Sequence, residues 1–435
     1  MAQEKTPPLP NRANPNPPGA WIPFRKRVQR ILAPVERFLA IEAASGIVLL
    51  VAALAALLWA NSPWRALYSA LWHIPIGLRW GSFAFERDLH FWINDGLMTV
   101  FFFVVGLEIR REIHAGELSE VRRAALPLAA ALGGMLAPAL IFFALNAGRP
   151  SSVGWAVPMA TDIAFAVGAL ALLGKRVTPA LRILLLALAV IDDVGAIVVI
   201  ALVYSADIAA MGFAVLGLGI VAILIMQFLG VRSPLAYIAP GTVIWAGTYM
   251  AGIHPTLAGV LVGLMTPVKR WRGREAVAPV ESLQHALHGV VAFGIMPLFA
   301  FANAGVPLGQ ISFDGDAKWV FWGVTLGLVA GKPIGILVVS RLAAWSGAAA
   351  LPRGVRWSHV GVVGMVGGIG FTMALFIASL AFPPGPLLET AKLAILCGSG
   401  LAGILSLFAG YRILKPYEGA GIATTEAEAE TSTSN

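Results

Sequence analysis

Long apolar runs recur along the chain, among them Gly46–Ala60, Ala124–Leu145 and Met211–Leu229, separated by short polar or Gly/Pro-containing stretches. About 20 apolar residues at ~1.5 Å per residue cross the hydrocarbon of a bilayer as a helix. The pattern therefore predicts an all-α polytopic membrane protein, in which every backbone polar group is satisfied inside its own segment. Twelve spans are predicted: 43–60, 91–109, 124–145, 156–174, 180–203, 211–229, 235–250, 255–267, 287–304, 319–340, 360–380 and 391–413. Spans 235–250 and 255–267 are short and joined by the tight Gly252–Pro255 turn.

Composition sharpens the picture. Apolar residues make up 58% of the 435 and charged residues 12%, about half the usual globular share of ~25%. So few charges cannot cover a soluble protein of this length. The net charge of +8 reads as a topology signal rather than a nucleic-acid footprint. With the N-terminus inside, inside segments collect 24 Lys and Arg against 6 outside, which places both termini in the cytoplasm. The single cysteine, Cys397, excludes an internal disulfide. Residues 1–40 are Pro-rich, unlike a signal peptide, and carry the basic run Arg25-Lys26-Arg27; with 414–435 they are expected to be disordered cytoplasmic flanks of a membrane domain over 41–413. In the outside loop 61–90, Leu78-Arg79-Trp80 and Phe83-Ala84-Phe85 alternate around Gly81-Ser82. That pattern fits a β-hairpin with glycine first in the turn, and equally an irregular loop. Isolated hairpins are marginal, so a hairpin here needs a partner surface.

Five charges lie four or more residues inside the predicted spans: Asp95, Asp162, Asp192, Asp193 and Lys332. Each costs at least ~2.5–3.5 kcal/mol at the centre of a membrane helix unless it pairs, binds an ion or takes up a proton. Asp192-Asp193 lies ~18 Å into its span. Adjacent helical residues face different ways, so the two carboxylates are expected to have different partners. Burial raises a carboxyl pKa by up to ~3–5 units, which lets such a group exchange a proton for a monovalent cation. Lys332, in Gly331-Lys332-Pro333, is the one basic residue placed deep within a span, ~12 Å from the nearer predicted end and too deep to snorkel. A carboxylate partner is expected, for a structural ion pair or for function. Ala160-Thr161-Asp162 after Pro158 reads as a helix break with N-cap residues, where Asp162 would neutralise positive helix ends. Gly367-Gly368-Ile369-Gly370 is a matching interruption, either for close helix packing or for a midplane site. Asp95 is an entry-path acid or an interfacial polar residue. Glu108, Arg111 and Glu112, spaced i, i+3, i+4, form a salt-bridged helix end or a cation funnel. His254 is structural or a proton sensor.

Ordered motifs then connect these residues to a family. They are Trp92-Ile93-Asn94-Asp95, Val105-Gly106-Leu107-Glu108, Ala160-Thr161-Asp162-Ile163-Ala164-Phe165, Ile191-Asp192-Asp193, Thr256-Leu257-Ala258-Gly259-Val260, Pro297-Leu298-Phe299-Ala300-Phe301-Ala302-Asn303-Ala304-Gly305, Gly331-Lys332-Pro333 and Gly370-Phe371-Thr372-Met373. Over about residues 41–413 the chain resembles the NhaA family of bacterial sodium/proton antiporters. The resemblance implies twelve transmembrane helices with inverted repeats and two discontinuous, crossing helices, here 156–174 and 360–380. It implies no cofactor and no enzyme activity, with sodium or lithium and protons as transported substrates at Asp192 and Asp193. Lys332 would pair Asp192 in the sodium-free state, and Thr161 and Asp162 would line the site. Asp95 would lie towards the periplasmic funnel, and Glu108 with Arg111, Glu112 and His254 would serve funnels and pH response. Electrogenic alternating access in the inner membrane, pH and sodium homeostasis, and a homodimer through the 61–90 loop complete the implication.

One departure stands out. Where the family has a glutamate before His-x-x-His, this chain has Gln284, in Glu281-Ser282-Leu283-Gln284-His285-Ala286-Leu287-His288, and an amide does not titrate as a carboxylate does. Two other readings are compared with the same residues by their chemistry. An antiporter for potassium or another ion has the same spacing. An intramembrane aspartyl protease needs acids converging from different helices, one in a Gly-x-Gly-Asp context that this chain lacks.

Overall fold

The computed structural model describes residues 44–416, except 82, 117–118, 206–208, 232, 269–277, 312 and 353. The expected disordered flank 1–40 and most of 414–435 lie outside the described residues.

Fifteen helical segments carry the fold among the described residues. They are α1 Ala44–Ala60, α2 Arg65–Trp72, α3 Leu89–Ala115, α4 Val121–Asn146, α5 Pro150–Met159, α6 Ile163–Leu172, α7 Pro179–Val203 and α8 Ala210–Phe228. The remainder are α9 Ile238–Met250, α10 Leu257–Met265, α11 Pro279–Asn303, α12 Ala317–Trp345, α13 Trp357–Gly367, α14 Phe371–Ala381 and α15 Pro386–Ile413. Seven helices are long and apolar enough to cross a membrane, and ten spans result if each bent pair counts once. The bent pairs are α1 with α2 (118°), α5 with α6 (45°) and α13 with α14 (52°). The predicted short spans are α9 and α10, too short to be counted by length. Helix starts follow local chemistry: α7, α11 and α15 each open with proline, whose missing N–H belongs to a position that has no intrahelical acceptor.

Close helix packing rests on small residues, as expected where lipid removes the hydrophobic drive between helices. Gly133 on α4 and Gly335 on α12 face each other, and a Cβ on either would run into the other's carbonyl oxygen. The same economy joins α3 to α10, where a Cβ on Gly106 would sit 2.7 Å from the Val260 carbonyl oxygen.

Within residues 61–90 the hairpin forms. Strands β1 Pro75–Trp80 and β2 Phe83–Asp88 pair antiparallel, from Pro75 opposite Asp88 to Trp80 opposite Phe83. Gly81 opens the connection with φ of +59°, the positive value that turns matched to strand twist require. Its partner surface is supplied by the same chain. Trp92 Nε1 donates to the Ile76 carbonyl at 2.9 Å, and Arg87 Nε donates to the Tyr249 hydroxyl at 3.1 Å while lying over the rings of Phe85, Phe91 and Tyr249.

Candidate cation and proton site

Helix α7 carries Asp192 and Asp193 near its middle, and both are 2% exposed or less. They take different surroundings, as adjacent helical positions should. Asp192 Oδ2 accepts from Lys332 Nζ at 2.6 Å. The Thr161 hydroxyl lies 2.6 Å from the same oxygen and 3.0 Å from the Gly367 carbonyl, so its one proton serves one acceptor at a time. Oδ1 of Asp192 and Oδ1 of Asp193 are buried without a hydrogen-bond partner. Four charged groups lie within Coulombic range of Asp193: Asp192, Glu108, Asp162 and Lys332.

Lys332 is fully buried. Helix α12 runs on to Trp345, beyond the predicted end at 340, so the lysine sits ~20 Å from either end rather than ~12 Å. Its ammonium also donates to the Met159 carbonyl at the end of α5. An unpaired charge at that depth is prohibitive, and these two acceptors are what hold it.

The predicted helix break is present at Ala160–Asp162, and Asp162 acts on two helices at once. It caps α6, accepting from Phe165 N at 3.1 Å through Oδ1. Its Oδ2 accepts from Thr372 N at 3.0 Å and from the Thr372 hydroxyl, at the start of α14. The Asp162 amide donates to the Ile369 carbonyl at 2.8 Å, tying the two breaks together. Glycine is required at the second break because a Cβ on Gly370 would lie 2.9 Å from the Ala160 carbonyl. Each helix start carries roughly +0.5 charge, so two of them about balance one aspartate.

With this geometry in place, comparison with known proteins decides the family. The profile of the family described as Na+/H+ antiporter 1 matches residues 36–409. A Sorangium cellulosum protein named Na(+)/H(+) antiporter NhaA 2 is 55% identical, over 96% of this chain and 98% of its own length. A Myxococcus xanthus protein of the same name is 51% identical over 96% and 97%, and an Acidovorax antiporter NhaA is 50% identical over 92% and 96%. The chain belongs to the NhaA sodium/proton antiporter family. Its relatives are transporters, not enzymes.

Around this candidate site the remaining residues fall into two groups. On one side Asp95 and His254 meet: Asp95 Oδ1 is 4.0 Å from His254 Nδ1, and Trp245 Nε1 donates to the Asp95 carbonyl at 3.2 Å. Towards the other end of α3, Arg111 has partners both on its own helix and on α11. Arg111 Nη2 contacts neighbouring Glu112 Oε1 at 3.2 Å, and Arg111 Nη1 donates to Gln284 Oε1 on α11 at 3.1 Å. The packing of α11 on α3 supplies this cross-helix acceptor, which spacing within α3 cannot reveal. Glu108, one turn deeper, is in the Coulombic neighbourhood of Arg111 and Glu112 on its own helix and of Asp193 on α7. Gln284 thus keeps a contact with Arg111 as a neutral acceptor where the NhaA pattern has an acid.

Three contributors were missed from sequence. Thr372 fixes Asp162, and Ser399 Oγ on α15 accepts from Phe371 N at 3.0 Å, so α14 is capped entirely by side chains of other segments. Lys332 is also not the only buried lysine. Helix α15 begins at Pro386 rather than 391, which moves Lys392 from the end of the predicted span to more than a turn inside the helix, 8% exposed and donating to Glu389 Oε1 at 3.0 Å. The Gly385-Pro386 pair was the available start signal.

Proposed function

We propose that this protein exchanges cytoplasmic sodium or lithium for external protons at Asp192 and Asp193, by electrogenic alternating access, in the inner membrane of a bacterium, and so controls internal pH and sodium. The observation that carries the reading is the pair of bare, buried oxygens, Asp192 Oδ1 and Asp193 Oδ1, beside a single buried ammonium that already serves Asp192 Oδ2. Two carboxylates and one ammonium leave one negative charge, while Asp162 is balanced by the helix starts of α6 and α14. One monovalent cation or one proton neutralises the remainder, and the two exclude each other. That competition is exchange.

In this reading sodium is cargo. It binds the bare oxygens of Asp193 and Asp192 and weakens the hold of Lys332 on Asp192; when it leaves, a proton takes Asp193 and Lys332 closes on Asp192 again. Electrogenic exchange needs a second proton: the Lys332 ammonium releases one when sodium displaces it from Asp192 and takes one up again when sodium leaves. Twelve spans with inverted repeats, in which α5–α6 and α13–α14 form two crossing broken helices, provide the alternating frame. Both termini are cytoplasmic. Asp95 and His254 serve the outer approach; Glu108, Arg111 and Glu112 serve the inner one; the hairpin 75–88 joins two copies. This reading is supported by the buried geometry and by the names of the relatives.

The test uses purified protein in proteoliposomes with an imposed pH gradient. Adding sodium or lithium is expected to collapse the gradient, and Asp193→Asn to abolish the response. Absence of sodium- or lithium-driven proton flux in the wild type would overturn the proposal. Competition among lithium, sodium and potassium fixes the cation class.

A further inference from the structure

Helix α12 is not α-helical throughout. Gly327–Gly331 forms a π-helical turn, closed by the Lys332 N–H donating to the Gly327 carbonyl, five residues back rather than four. A π turn accommodates one extra residue. Everything after it is rotated by about 100° relative to an uninterrupted α-helix, which shifts a Cα by about 3.5 Å at the backbone radius of ~2.3 Å. Lys332 is the first residue after the turn. The position of the turn therefore decides whether the ammonium faces Asp192.

The next residue, Pro333, has no N–H. For the turn to advance one residue, the N–H of residue 333 would have to donate to the Leu328 carbonyl, and Lys332 would then join the register of the preceding helix. Proline cannot make that bond. Helix α11 shows the same arrangement independently: its π turn Val291–Ile295 is closed by Met296 N–H on the Val291 carbonyl, and Pro297 follows. The turn in α12 is seated on glycines against prolines, since a Cβ on Gly327 would lie 2.7 Å from Pro158 Cβ, and one on Gly331 2.9 Å from Pro138 Cα.

We infer that Pro333 is a positioning residue: it stops the π turn immediately ahead of Lys332 and thereby holds the ammonium on Asp192. The inference rests on the proposed role of Asp192 and Lys332 at the cation site. Pro333 itself touches neither carboxylate in any contact described above; it acts through the lysine. If the lysine and the cation compete for Asp192, loosening the lysine must favour the cation.

The test measures sodium binding to purified full-length protein by calorimetry at one fixed pH, together with KM and kcat in proteoliposomes. Pro333→Ala supplies the missing N–H and removes a helix-breaking ring, so folding is not threatened. It is expected to lower the half-saturating sodium concentration about three- to tenfold and to lower kcat, because Lys332 no longer returns to one place. Pro333→Gly supplies the same N–H and must move binding in the same direction. In a Lys332→Met background the Pro333→Ala change must have no further effect on binding. Unchanged sodium affinity in Pro333→Ala, or an equal shift with and without the lysine, would overturn the inference. Failure of the underlying site assignment has a different signature: Lys332→Met and Asp193→Asn would both leave sodium binding as in the wild type.

Discussion

The Lys332–Asp192 pair offers the most quantitative test of the site. The two groups touch at 2.6 Å and are at most 1% exposed, so solvent does not screen them. At an effective dielectric of ~20 their attraction is about 6 kcal/mol, most of it offset by the cost of taking both charges out of water. Removing one partner forfeits the attraction and leaves the other group's desolvation uncompensated, so Lys332→Met and Asp192→Asn should each destabilise by about 3–5 kcal/mol. The double variant removes both charges, and the Asn side-chain oxygen still accepts from Thr161. It should therefore lose far less than the sum of the singles, with a coupling energy of about 2–3 kcal/mol. The assay is unfolding of the four purified proteins in sodium-free mixed micelles, titrated with a denaturing detergent and followed by helical circular dichroism. Singles that add to within ~0.5 kcal/mol would refute the pairing, whatever transport measurements show.

Other substitutions separate architecture from chemistry. Asp162→Ala orphans two amides, the buried Thr372 N and the half-buried Phe165 N, and should cost about 2–4 kcal/mol in the same unfolding assay, at ~1–3 kcal/mol per orphaned donor; Asp162→Asn keeps acceptors for some of them and should cost at least ~1 kcal/mol less. Asp193→Asn removes a carboxylate whose Oδ1 has no hydrogen-bond partner, so it should leave unfolding stability equal to or above the wild type while sodium-driven flux is lost. Gly335→Ala drives a Cβ into the Gly133 carbonyl and should cost about 1–3 kcal/mol as overpacking, read as a lower midpoint in the unfolding titration. A midpoint equal to wild type would mean that α4 and α12 do not pack as closely as described.

The sequence alone settled the medium and marked the residues of the candidate site. Apolar runs of span length mark a membrane helix because backbone polar groups find no partner in hydrocarbon, and Asp192, Asp193, Asp162 and Lys332 were conspicuous because a charge there is costly without compensation. The break at Thr161-Asp162 and the turn at Gly252 were likewise local signals of capping and positive φ. Tertiary structure decided the partners. Lys332 meets Asp192 across 140 positions, and Asp162 caps α14 from 210 positions away; spacing carries no information at that range, and only the resemblance had anticipated the first. Arg111 reaches Gln284 because α11 packs there, and Lys392, at the edge of its predicted span, is more than a turn inside the helix because α15 starts at Pro386. The π turn ahead of Lys332 was invisible to a 3.6-residue period, since one extra residue changes the face of everything that follows without changing which residues are apolar. Burial in a membrane is a property of composition along the chain. Which buried charge meets which is a property of how the helices are rotated and packed, and that exists only once they are assembled.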